Sequence, residues 1–195
     1  MKEREEEEVK NEILPLFFCH SRDEKDETGK SRMHECEKFL KEDAVEFERR
    51  SVSRTYLLVD EEALEKEDKI NIIAYYTLSM KSLNLGEDVG TTKRSKLSGG
   101  MKEASTVVAY LIGQLAKNDT YSSETNMTEI LEFALSTIQE AYKIVGGRCV
   151  LVECKPSEGL TSLYENNGFK KLQKSQENDG LVQYFCYIKP SKNHK

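Results

Sequence analysis

Residues 105–154 constrain the fold more than any other part of the chain. They begin with a near-continuous apolar run, Thr106-Val107-Val108-Ala109-Tyr110-Leu111-Ile112, extending to Ala116. That is the pattern of a strand covered on both faces. A polar turn over residues 117–125 follows. Residues 127–145 then place Met127, Ile130, Leu131, Ala134, Leu135, Ile138, Ala141 and Tyr142 at helical spacing, and Gly146-Gly147 ends the repeat. A second apolar run, Cys149-Val150-Leu151-Val152-Glu153-Cys154, completes strand, helix and strand. This predicts a βαβ unit with two buried parallel strands and a right-handed crossover.

The chain leaves the second strand through Pro156, which has no amide to donate, and Ser157, whose hydroxyl can cap a helix. Leu160, Leu163 and Tyr164 share one face of that helix, so Tyr164 is expected against the sheet. Gly168 ends the helix at a left-handed position, and Phe169 opens the next strand. Residues 169–172 and 182–188 read as two strands joined by the polar turn 174–180.

The N-terminal part reads less sharply. Residues 1–10 carry Glu5-Glu6-Glu7-Glu8 and are expected to be solvated or frayed, before the short apolar stretch Ile13-Leu14-Pro15-Leu16-Phe17-Phe18. Residues 20–31 read as a loop, and 32–50 as a helix with Cys36, Phe39, Leu40, Ala44 and Phe47 on its apolar face. Residues 54–59 and 70–85 are strand-like and form a hairpin across the charged turn 60–69. Residues 85–102 read as a second loop, where Lys93, Arg94, Lys96 and Lys102 concentrate positive charge.

Composition excludes several classes. The 195 residues suffice for one full core although 33% are charged, and the net charge of −6 argues against a surface built mainly to neutralise phosphates. No apolar stretch approaches the ~20 residues needed to span a bilayer. The acidic start is unlike a signal peptide, so a cytoplasmic location and no membrane partner are expected. Cys19, Cys36, Cys149, Cys154 and Cys186 show no CxxC spacing, so no metal is expected. They read as reduced, packed thiols, since His20, His34 and His194 lie far in sequence from the strand cysteines.

The order of elements from about Cys36 to Ile188 resembles the GNAT superfamily of acyl-CoA-dependent N-acetyltransferases. Three stretches carry the likeness: Ser53-Arg54-Thr55-Tyr56-Leu57-Leu58-Val59, Ile73-Ala74-Tyr75-Tyr76-Thr77-Leu78-Ser79 and Leu163-Tyr164-Glu165-Asn166-Asn167-Gly168-Phe169. Within the superfamily the chain is similar to the bacterial branch of prophage-borne proteins and toxin–antitoxin toxins that acetylate aminoacyl-tRNA. The resemblance implies an α/β (α+β) fold. Its sheet is central, mixed and mostly antiparallel, with a splayed parallel strand pair and flanking helices. An acidic extension over 1–31 would precede a single domain over 32–195.

The resemblance further implies acetyl-CoA as cosubstrate. Its pantetheine arm would pair with the backbone of Gln114, Leu115, Ala116 and Lys117, as an extended ligand adds to an open strand edge. The pyrophosphate would meet Ser122, Ser123, Glu124, Thr125, Asn126 and Met127. Here the chain departs from the family, which places glycines in this loop. Counted without gaps, Ser122, Thr125 and Met127 stand at the signature positions, and Glu124 adds a carboxylate. The loop must bind the phosphates less tightly or take another shape. Its helix N-terminus survives, because Thr125 or Asn126 can cap it.

The family uses a tyrosine at the position of Tyr164 to protonate the departing CoA thiolate. A packed core tyrosine would give the same pattern. No general base stands out, Glu103 and Glu153 being equally readable as solvated charges. Three functions fit: transfer of an acetyl group to an unidentified primary amine, a non-catalytic binding protein on the same fold, and, less well because the acidity weakens it, a toxin acting on aminoacyl-tRNA, the one nucleic-acid partner considered. A homodimer is compatible with all three.

Overall fold

The computed structural model describes residues 6–25, 31–177 and 180–188. Parts of the acidic run, of the loop 20–31, of the turn 174–180 and of the C-terminal tail with His194 lie outside these residues. The chain divides into two compact units, Met1–Leu78 with Gln114–Ala134, and Ser79–Gly113 with Leu135–Lys195.

In the first unit the chain opens with helical turns, α1 (Glu6–Glu8), a π-helical stretch Val9–Ile13 and a 3-10 turn Leu14–Leu16. Glu6, Glu7 and Lys10, in the run expected to be solvated, are exposed. In the apolar stretch that follows, Ile13, Leu14 and Phe17 are buried with Leu40, Ile72 and Tyr75, and Phe17 meets the Tyr75 ring edge-on at 5.3 Å. The expected loop 20–31 contains a small antiparallel pair, β1 (His20–Lys25) and β2 (Ser31–Met33). The expected single helix is two, α2 (Glu35–Glu42) and α3 (Ala44–Arg49), and His34 caps the first by accepting from the Cys36 amide. The start of the predicted helix, residues 32–33, belongs to β2.

β3 (Arg54–Val59) follows, and the charged turn after it is a helix, α4 (Glu61–Glu67). Asp60 accepts from the Ala63 amide at 3.1 Å, and Asp68 ends the helix at φ +52°. Good helix formers behind an Asp cap outweigh the absence of an apolar face. β3 pairs antiparallel with β4 (Ile72–Asn84), as the hairpin reading expected.

The second unit includes α5 (Thr91–Ser98) inside the expected loop 85–102. Gly90 precedes it and Gly99, at φ +79°, ends it. Arg94 closes the segment by donating to the carbonyls of Val89, Ala104, Leu85 and Gly86. β5 (Thr106–Lys117) and α6 (Met127–Val145) each contribute to both units, and β6 (Cys149–Cys154) completes the βαβ element. Gly146 and Gly147 stop α6 at φ +74° and +136°. β5 is not covered throughout, because Val108 remains 58% exposed.

α7 (Glu158–Asn166), β7 (Lys170–Lys174) and β8 (Val182–Tyr187) close the chain. The six-stranded sheet has the order β3-β4-β5-β6-β8-β7. β5 and β6 run parallel, whereas β8 runs antiparallel to both β6 and β7. The parallel ladder consists of Tyr110↔Val150, Leu111↔Leu151 and Ile112↔Val152. It stops there, although β5 continues to Lys117 and β6 to Cys154, as a splayed pair requires.

Candidate functional site

The residues singled out in the sequence fall in both units, and each group has its own local construction. In the first unit, the Gln114 amide donates to Thr77 Oγ1 at 2.8 Å. The Leu115 amide bonds the Cys36 sulfur, but burial outweighs this and pushes the Cys36 thiol up to about 11. Tyr75, itself buried, donates to the Cys36 carbonyl at 2.6 Å. Two amides at the end of β5 are therefore already engaged, one by an inert thiol.

Lys117 turns its ammonium onto the following loop, donating to Ser122 O at 2.8 Å and Thr125 O at 3.4 Å. Next to it, Asn118 is fully buried and ties together three segments. Its side-chain amide donates to Leu16 O and Ile72 O, while its side-chain oxygen accepts from the Phe18 and Thr120 amides. The Asp119 carboxylate accepts from the His20 amide at 2.9 Å.

Asn126 is the cap of α6, its side-chain oxygen accepting from the amides of Thr128 and Glu129 at 3.0 and 3.1 Å. Glu129 reciprocates. Its carboxylate accepts from the Asn126 amide at 3.1 Å and from the Thr125 hydroxyl at 2.9 Å. The Asn126 amide, then the Thr125 hydroxyl, hold the Glu129 carboxyl below its ordinary range. This is a complete capping box. Of the two capping candidates the structure selects Asn126, and Glu129, whose N-x-x-E spacing was visible in the sequence, is the residue the sequence reading missed. The loop Ser122-Ser123-Glu124-Thr125-Asn126-Met127 thus lacks glycine but holds a lysine against its carbonyls and a carboxylate at its helix.

In the second unit, Ser157 caps α7 by accepting from the Leu160 amide at 3.2 Å, as expected. Tyr164 is buried. Its ring tilts against Phe169 at 5.6 Å and Tyr184 at 5.9 Å, and its carbonyl accepts from the Phe169 amide at 3.0 Å. Gly168 adopts φ +83°, the left-handed turn that returns Phe169 to this ring. Tyr184 shares a hydrogen bond with the Thr161 hydroxyl at 3.1 Å.

Glu153 has no freedom to act as a base. It accepts from Lys81 at 2.7 Å, Gln183 at 2.7 Å and Ser175 at 3.1 Å. Burial alone would raise its carboxyl, but the bonds from Gln183 and Lys81 outweigh burial and hold it low. The basic cluster is likewise partly spent, since Arg94 is bound to four carbonyls and Lys93 lies over the Phe185 ring at 5.7 Å.

This fold matches those of solved bacterial toxins. AtaT complexed with acetyl-methionyl-tRNAfMet aligns with a TM-score of 0.61 at 19% identity, over 90% of this chain and 86% of that one. The chain has the GNAT fold. A tyrosine-to-phenylalanine variant of KacT aligns with a TM-score of 0.59 at 22% identity, over 77% of this chain and 80% of that one. AtaTR bound with acetyl-CoA gives 0.57 at 18% identity, over 90% and 85%. No protein-family model and no curated protein sequence matches the chain. At these identities the likeness is one of fold. Among the described residues no helix is long and apolar enough to cross a membrane.

Proposed function

We propose that the chain is an N-acetyltransferase that passes an acetyl group from acetyl-CoA to a primary amine by direct attack. The observation that carries this reading is a fold shared over 90% of the chain with AtaTR solved bound to acetyl-CoA. Bound acetyl-CoA would supply a thioester carbonyl already activated for attack. Tyr164 Oη would give its proton to the leaving sulfur, because a phenol near pKa ~10 stays protonated at neutral pH yet lies close to a thiol at ~8.5. The end of β5, where the parallel ladder has stopped, would bind the pantetheine arm through Leu115, Ala116 and Lys117.

The phosphate end fits on one condition. Lys117 offers a cation, and the α6 N-terminus favours an anion, but the capping box must yield amides now held by Asn126 and Glu129. Ser122, Ser123, Glu124, Thr125, Asn126 and Met127 would then rearrange around the pyrophosphate. Thermal-shift titration tests this: acetyl-CoA at ~100 times its dissociation constant should add ~2.7 kcal/mol to stability. No shift at millimolar acetyl-CoA would overturn the enzymatic reading and leave the binding-protein reading, which the self-satisfied capping box favours.

Aminoacyl-tRNA is the second reading of the acceptor. It is favoured by the likeness to AtaT solved with acetyl-methionyl-tRNAfMet. Growth arrest on expression, relieved by Tyr164→Phe, would support it. Harmless expression of an acetyl-CoA-binding protein would point to another amine.

A further inference from the structure

A cavity of about 330 Å³ in the second unit is lined by Lys96, Tyr142, Gly147, Arg148, Tyr187 and Ile188. It takes up one cation of the basic cluster, Lys96, and adds Arg148 from beyond α6. Its walls are built by specific contacts. Arg148 Nε donates to the Lys96 carbonyl at 2.8 Å. The stem of Arg148 lies over Gly99, where a Cβ would come 3.6 Å from Arg148 Cδ at a φ of +79°. The Tyr110 ring occupies the space a Cβ on Gly147 would need, and its hydroxyl donates to Gly146 O. Glycine is required here both by this close approach and by φ +136°.

Neither Lys96 nor Arg148 pairs with a carboxylate among the described residues. The C-terminus of α6 ends nearby, but the Tyr142 carbonyl is already bonded by the Gly146 amide at 2.9 Å, so the helix end does not consume both charges. A guanidinium held by its Nε presents its remaining N–H groups as a fork, and an ammonium beside it adds a point charge. Together they match a phosphate. Tyr142 and Tyr187 contribute aromatic surface of the kind on which nucleobases stack. The volume is at the small end of ligand sites, room for one nucleotide.

We propose that this cavity holds a single nucleotide, its phosphate between Lys96 and Arg148 and its base against the tyrosines. The nucleotide is either free or part of an RNA strand, and the cavity is lined by none of the residues proposed for acetyl-CoA. The test uses the full chain with saturating acetyl-CoA present. AMP is titrated by calorimetry, and a labelled short single-stranded RNA by fluorescence anisotropy. Lys96→Ala, which keeps the carbonyl that holds Arg148, and Arg148→Ala should each weaken binding about tenfold while leaving the acetyl-CoA thermal shift unchanged.

AMP binding without RNA binding assigns the site to a free nucleotide, and RNA binding without AMP binding assigns it to a strand. The proposal fails if neither probe binds, or if both variants bind as wild type does. It also fails if acetyl-CoA displaces AMP, or if inorganic phosphate competes as well as AMP and the rings contribute nothing. Loss of the acetyl-CoA shift in the wild type would instead count against the acetyltransferase reading and leave nucleotide binding intact.

Discussion

The two parallel strands β5 and β6 are each followed by a turn and a helix, and the two junctions are closed by different forces. After β5 the chain makes a long, largely exposed excursion before Asn126. Polar bonds hold it: Lys117 on loop carbonyls, Asn118 at its root and the Asn126–Glu129 box at its end. After β6 only Lys155-Pro156-Ser157 intervene, and apolar packing of Tyr164 on Phe169 and Tyr184 closes the turn. An exposed polar closure exchanges its partners for water or a ligand at little net cost, whereas a packed aromatic cannot move without opening a cavity. The first junction is thus suited to rearrange around an anion, and the second to hold one phenol still.

Tyr164→Phe should sharpen the contrast most. It keeps the ring packing and removes only the hydroxyl, so turnover should fall about 10²- to 10⁴-fold with little change in acetyl-CoA affinity. A comparable loss of stability would make Tyr164 a structural residue. Next in size, Asn118→Ala strands the carbonyls of Leu16 and Ile72 and the amides of Phe18 and Thr120. Stability should drop by about 3 kcal/mol in denaturant unfolding. A loss under ~1 kcal/mol would show that water replaces the side chain and that the root of the first junction is as exchangeable as its tip.

A pH series probes a buried thiol in each unit. Burial pushes both Cys36 and Cys149 from 9.0 up to about 11. The folded values are raised, so the contribution is whole below pH 9 and is lost as pH rises from 9 to 11, where the unfolded chain ionises first. Each thiol should account for roughly 2–3 kcal/mol of alkaline loss. The Cys36→Ala/Cys149→Ala variant should therefore show a flatter stability curve over that range, and an unchanged slope would remove the thiols from the account. The smallest effect is expected at the first junction's cap. Glu129→Gln removes a carboxylate from the helix N-terminus and should tighten acetyl-CoA binding about two- to fivefold by calorimetry. Weaker binding would mean that the box is part of the bound loop.

Much of the fold was legible because its signals are local. β3, α6, β6 and α7 follow from periodicity punctuated by Asn126, Gly146-Gly147, Pro156-Ser157 and Gly168. α4 and α5 were missed because they carry almost no apolar stripe: α4 buries no residue, and α5 only Leu97. They are set by an Asp cap in one case and by the carbonyl bonds of Arg94 in the other. The apolar character of residues 13–18 was legible, but not what they pack against, because their burial depends on Asn118 and Tyr75, neither of which is near them in sequence.

At the candidate site, the sequence identified Tyr164 and the glycine-free loop, since a helix face and a composition are both readable from order alone. Sequence order also specified a βαβ element and the stops around it, because caps, proline and left-handed glycines act within a turn of themselves. Only the tertiary structure decided which charges are free. It bound Arg94 and Glu153 into the protein, turned Lys117 onto its own loop and brought Arg148 to Lys96. A charge's availability depends on what lies within a few ångströms of it, and folding brings those neighbours from anywhere in the chain.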